Sequence, residues 1–244
     1  MVVSRRAALA ALLVFALGCA PERAPDAGAD LQRRAERAPD AGADLQRRAE
    51  RAAVRVAAIL GRPVRPSVEL AENAAHAART AGVGSVEGLA ALAHDGRVIV
   101  IPENYAKLTP TGRDVVLAHE LTHVAAGTGG LPPWLYEGFA DYVAYKDAGL
   151  AVPVAAAELA TEVRAGQVPR ELPDADAFAP GAARLAQSYQ EAWLACRFLA
   201  ARFGEDRLVR LYRDARRLGV ERALPLPSGE LVAGWRAYLR EELE

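Results

Sequence analysis

Apolar residues along this chain follow two rhythms. Within 110–126, Leu117, Leu121 and Val124 recur at i, i+4 and i+7, a spacing that gathers side chains on one face of a helix. Pro110 and Thr111 supply a start, and Gly127-Thr128-Gly129-Gly130 a stop. A second helix is predicted from about Pro133, because proline is tolerated in a first helical turn. Further on, Leu185, Tyr189, Ala192, Trp193, Cys196, Leu199 and Phe203 form one helical stripe over 182–203. Helices are also predicted over 154–165, 206–218 and 228–244. Residues 166–181 form a long loop rich in Pro and Asp, of a length that is often functional or mobile. The second rhythm lies upstream, where 66–71 reads as a strand and 73–80 as a helical turn or loop. The apolar runs 88–93 and 97–101 flank His94-Asp95-Gly96, and Asp-Gly between two such runs signals a hairpin. The pattern predicts an α+β fold: a small antiparallel sheet packed on helix 110–126, then a mainly helical C-terminal half.

The beginning of the chain reads differently. Residues 22–35 recur unchanged as 36–49. Each copy has one Pro, one Gly and a single large apolar residue, Leu31 or Leu45, too little to offset the entropy of ordering it. Two polar copies are also too few for a solenoid. Residues 20–51 are therefore predicted to be a flexible tether, with a helix running from Leu45 to Leu60 and ended by Gly61 and Pro63. Residues 1–19 read as an export signal. Ser4-Arg5-Arg6 is basic, and 7–17 are apolar but shorter than the roughly 20 residues a spanning helix needs. Ala16-Leu17-Gly18-Cys19-Ala20 resembles a bacterial lipobox, which implies lipidation of Cys19 and a membrane-anchored, extracytoplasmic lipoprotein at the cell envelope. The alternative is an ordinary secretory cleavage near Ala20. Ser4-Arg5-Arg6-x-x-Leu9 also resembles a twin-arginine signal. The predicted organisation is signal 1–19, tether 20–51 and folded domain 52–244.

Composition narrows the function. With 244 residues, 52% of them hydrophobic, the chain can bury a sizeable core. A net charge of −1 gives no basic excess, and there is no zinc-finger or RNA-binding motif, so no nucleic-acid partner is expected. The two cysteines are Cys19 and Cys196. With Cys19 acylated no disulfide framework remains, and Cys196 reads as a small buried hydrophobe on its stripe.

Candidate chemistry concentrates in His119-Glu120-Leu121-Thr122-His123. On a helix the two imidazoles share one face, one turn apart, where they can bind one Zn²⁺, and Glu120 can reach a metal-bound water. The chain has four histidines, and two of them fall at this spacing around a glutamate. His76 and His94 read as surface or turn residues. The segment Pro132-Pro133-Trp134-Leu135-Tyr136-Glu137-Gly138-Phe139-Ala140-Asp141-Tyr142 follows after the glycine break. It can turn back and bring Glu137 to the His pair, completing the His₂Glu set of some catalytic zinc sites. Asp141, four residues on, can accept the free ring N–H of a ligating His. By themselves Glu137 and Asp141 would read as a solvated acidic face.

Together these two motifs resemble the gluzincin metallopeptidases, and most closely the bacterial peptidase MA-like group, whose second motif reads much like W-L-x-E-G-x-A-[DE]-Y. The resemblance implies a zincin-like fold, one zinc ion held by His119, His123 and Glu137, Glu120 as general base, and Asp141 behind the ligands. It implies hydrolysis of a peptide or protein substrate, which can add to the edge of the sheet as an extra strand. No third His follows His123, so the metzincin pattern is absent. Related enzymes supply an oxyanion donor from a later helix, which makes Tyr189 the candidate. Tyr189 equally suits a core position on its stripe, and Tyr142 and Tyr145 are weaker candidates. Two other readings stand beside peptide hydrolysis: a binding or scaffold lipoprotein on a retained fold, and a closed structural zinc site.

Overall fold

The computed structural model describes the backbone of residues 27–244 and the side chains from residue 42 onward. Cys19, the export signal and the start of the tether lie outside the described residues. Among the described residues no helix is long and apolar enough to cross a membrane.

Helix α1 (Ala27–Leu60) is followed by strand β1 (Val68–Leu70), helix α2 (Ala74–Ala81), the hairpin of β2 (Ala91–His94) and β3 (Arg97–Val100), and a single turn, α3 (Pro102–Tyr105). The fold is α+β, but the expected antiparallel sheet is mixed. β2 and β3 pair antiparallel as the Asp-Gly hairpin predicts, while β1 pairs parallel with β3, in the order β1-β3-β2. Parallel neighbours need a long crossover. The segment containing α2 and β2 supplies one, and this pairing leaves no local signature. β3 is central and buried on both faces. Val98 and Val100 face the main core, while Ile99 and Ile101 join Ala77, Ala81 and Leu92 in a smaller core under α2.

Helix α4 (Pro110–Ala126) starts at Thr109, whose hydroxyl accepts the Gly112 N–H at 3.1 Å, and stops at Gly127. Helix α5 (Pro133–Tyr145) follows from Pro132-Pro133. Three groups from elsewhere in the chain hold the carbonyl end of α4. Arg62 donates to Ala125 O, Arg216 to Ala126 O, and the Tyr212 hydroxyl to Gly127 O at 2.5 Å. Cations there satisfy the last carbonyls and complement the helix dipole.

α1 lies on α4. Leu45, Ala49, Ala52, Ala53, Val56 and Ile59 are buried, and Arg48 bridges Asp44 (2.7 Å) and Asp114 (2.8 Å). The packed part of the chain thus begins by Leu45, inside the stretch read as tether. Leu45 is insufficient alone, but Ala49 through Ile59 continue its stripe at helical spacing.

The C-terminal half is helical. The helix expected over 154–165 is two, α6 (Val152–Ala155) and α7 (Ala157–Arg164), broken at Ala156. A loop containing one 3₁₀ turn (Asp176–Phe178) leads to α8 (Leu185–Phe203). Then come α9 (Glu205–Leu218), the short α10 (Val220–Ala223) and α11 (Ser228–Leu243). α8 crosses α5 so closely that a Cβ on Gly138 would lie 2.1 Å from the Ala192 carbonyl oxygen. Cys196 is buried at this crossing, as its stripe predicts.

Candidate metal centre

His119 and His123 project from the middle of α4, one turn apart, and both are buried. The glycine-containing turn between α4 and α5 folds Glu137 back onto them. His119 Nε2 lies 2.9 Å from His123 Nε2, and Glu137 Oε2 lies 3.1 and 3.2 Å from these two nitrogens. Asp141, one turn further along α5, is 2.7 Å from His119 Nδ1. A carboxylate at that nitrogen fixes the Nδ1–H tautomer and leaves the Nε2 lone pair facing the cluster.

Three electron-pair donors this close repel one another unless positive charge sits among them. Tetrahedral zinc with Zn–N bonds of 2.0–2.1 Å would set its ligands about 3.3 Å apart, close to the separations seen. The buried set His119, His123 and Glu137 can hold a metal ion. The electrostatics agree. Burial works to raise the Glu137 carboxyl, but the two imidazoles outweigh it and bring the pKa down to about 2. Burial also opposes charge on His119, and Asp141 and Glu137 overcome it, holding this imidazole well above its ordinary value.

Glu120 has no exposed surface, and neither carboxylate oxygen has a side-chain hydrogen-bond partner among the described residues. Burial raises it to about 7, with the two histidines and the Ala93 backbone N–H opposing. A buried carboxylate without a side-chain partner is costly and calls for an explanation. Glu137 Oε1 and His123 Nδ1 are likewise buried without a hydrogen-bond partner among the described residues.

Tyr189 reaches the site from α8. Its ring centroid is 6.4 Å from that of His119, and burial pushes its phenol well above the ordinary range. The other tyrosines named as candidates lie elsewhere. The Tyr142 hydroxyl donates to Glu205 at 2.7 Å, and the Tyr145 ring packs on Trp193 at 4.8 Å. His76 and His94 pair with Glu72 and Asp95, outside the cluster. Three contributors were not assigned a role from sequence: Tyr136, edge-on to His123 at 5.9 Å; Gly138; and Phe178, edge-on to Tyr189 at 5.2 Å. Gly138 had a signal, since a glycine inside a helix costs about 1 kcal/mol and needs a reason. Phe178 had none beyond being the one aromatic residue in a polar loop.

No family model, no curated protein and no solved structure matches this chain.

Proposed function

We propose that this protein is a zinc-dependent peptidase of gluzincin type, with a zincin-like arrangement of sheet and helices, tethered at the bacterial cell envelope through lipid on Cys19. The observation that carries the reading is a fully buried carboxylate without a side-chain partner, Glu120, beside a converging His119–His123–Glu137 donor set. These three residues would hold the zinc. When bound, the ion supplies Lewis acidity and lowers the pKa of water to about 7.

The chain's own groups then have distinct tasks. Glu120 takes the proton from the attacking water and returns it to the leaving amine. Asp141 holds the His119 ring in one tautomer and orientation through the 2.7 Å contact. Tyr189, whose ring lies 6.4 Å from that of His119, is the proposed donor to the oxyanion that develops on the substrate carbonyl. β2 is an edge of the sheet, where an extended peptide can add as a further strand.

The test is metal content by mass spectrometry on the parent and on Glu137→Ala and Glu120→Gln, followed by a peptide-cleavage screen. One zinc per parent chain, much weakened in Glu137→Ala, and cleavage abolished in a zinc-replete Glu120→Gln are expected. A parent that takes up no zinc on reconstitution would sink the enzyme reading. A zinc-loaded Glu120→Gln that cleaves as fast as the parent would remove Glu120 from the chemistry.

A further inference from the structure

The donor set and its carboxylate are almost wholly buried. His119, Glu120 and Glu137 have no exposed surface. His123 keeps 7% exposure, so a peptide reaches the site more readily if a neighbouring element can move, a point that rests on the metal-centre reading above. α4, α5 and α8 are continuous helices, and β2 is paired with β3 along its length. Displacing any of them breaks regular structure.

The segment 166–181 is built differently. It begins at Gly166 (φ 79°) and ends at Gly181 (φ 82°). Glycine alone enters that region without strain. A Cβ at either position would meet nothing within 4 Å, so close packing is not why these residues are glycine. Gly166 and Gln167 N–H bond back to Val163 O and Glu162 O of α7, which anchors the start of the loop, and beyond them the hydrogen bonds that shape it are internal. Phe178 N–H donates to Ala175 O, Ala179 N–H to Asp176 O, and Ala177 N–H to the Asp174 carboxylate. Arg170, Glu171, Asp174 and Asp176 face solvent. Val168, Leu172 and Ala177 rest partly buried on the core and Pro173 is buried, while Phe178, the loop's one aromatic residue, is only 2% exposed. Its ring meets Tyr189 edge-on at 5.2 Å, and Tyr189 in turn lies against His119 at 6.4 Å. A line of rings thus runs from the loop to a metal-binding histidine.

The geometry points to residues 166–181 as a hinged cover of the candidate metal centre, latched by Phe178 on Tyr189. Closed, the loop holds the Tyr189 ring against His119 and keeps solvent from the site. Open, Phe178 leaves its seat, the wall behind Tyr189 is vacated, and a peptide can enter. Phe178 acts through Tyr189 and is a positioning residue. The downstream base stays fixed while the loop swings, because Arg184 is paired with Glu162 of α7 at 2.5 Å and Glu191 of α8 at 2.8 Å.

Arg170 allows a direct test on the full chain, being the one trypsin site between Arg164 and Arg184. Truncating a seated phenylalanine removes the latch, so Phe178→Ala is expected to speed cleavage after Arg170 by about tenfold or more. Phe178→Leu keeps an apolar latch and is expected to stay within about threefold of the parent. In zinc-loaded protein the same order should hold for the rate of metal release to a chelator. Hydrogen exchange on the parent reads the cover without any variant, and serves if Phe178→Ala does not fold: amides of 174–179 should exchange together, faster than those of α8. Equal Arg170 cleavage in all three proteins would overturn the proposal, as would cleavage rising alike throughout the chain, or loop exchange as slow as that of α8. A parent that binds no zinc strikes at the metal centre instead, and leaves the trypsin and exchange comparisons to judge the cover.

Discussion

Gly138→Ala tests how the site is held together. By helix propensity alone the change would stabilise α5 by about 1 kcal/mol. The new Cβ, however, would stand 2.1 Å from the Ala192 carbonyl oxygen and 2.5 Å from its carbon, with Cys196 Sγ at 3.1 Å. The obstacle is the backbone of α8, which has no rotamer to change. Restoring ordinary contact at about 3.4 Å requires the helices to part by about 1.3 Å. Overpacking a close helix contact costs about 1–3 kcal/mol, more when backbone must move. Set against the propensity gain, a net loss of about 2 kcal/mol follows, a fall in Tm of roughly 4–8 °C for a domain this size. The effect on metal should be larger. Glu137 is the adjacent residue, and metal–ligand distances tolerate only about ±0.2 Å. Zinc affinity should therefore fall at least about tenfold. Competition against a chromophoric chelator, with thermal unfolding in the presence and absence of zinc, measures both. An alanine variant that melts no lower than the parent and binds zinc within twofold would refute the claim that the α5–α8 crossing sets the position of Glu137.

Asp141→Asn keeps shape but loses the charge facing His119 Nδ1, and should weaken zinc binding by about 10–100-fold in the same competition. Tyr189→Phe should leave zinc stoichiometry unchanged while lowering kcat by about 10²-fold or more. Full turnover would return Tyr189 to a core role. Arg48→Ala removes the bridge from α1 to Asp114 and should destabilise the fold by about 1 kcal/mol, an estimate discounted for partial exposure. The Arg48 hydrogen bond holds the Asp44 carboxyl below its ordinary value, burial opposing. That part of the stability is present above the ordinary carboxylate pKa of 3.8 and lost as pH falls below it. Acid unfolding of Arg48→Ala should accordingly show a shallower decline below that pH than the parent.

Elements bounded by local punctuation were legible in the sequence. Pro110 with Gly127, Pro133, and Asp95-Gly96 each mark a boundary through the backbone itself. The face shared by His119 and His123 follows from helical spacing alone. What was not legible depends on distant partners. β1 pairs parallel with β3 across a long crossover, and nothing in Val68-Glu69-Leu70 declares the sense of that pairing. Leu45 looked stranded within its repeat because its partners, α4 and the stripe down to Ile59, lie beyond it. Tyr142 and Tyr189 were both open candidates until tertiary packing sent one to Glu205 and the other to His119. The need for glycine at 138 is set by the Ala192 carbonyl on another helix.

The docking of α1 also bears on how freely the duplicated segment can change length. In the second copy Leu45 and Ala49 are buried, and Arg48, held by Asp44, pairs with Asp114 of α4. The first copy spells the same residues fourteen positions earlier, at Asp30, Leu31, Arg34 and Ala35. Excising either copy yields one and the same polypeptide, and in it Leu and Arg still stand at the same distance from Val56. Replication slippage can contract the gene here without unseating α1. Renewed expansion would add fourteen residues, about 21 Å of helix, ahead of the anchored face and leave that face intact. Length and docking are thereby inherited separately: the stretch ahead of the packed face of α1 can change length without disturbing the helix on which His119 and His123 sit.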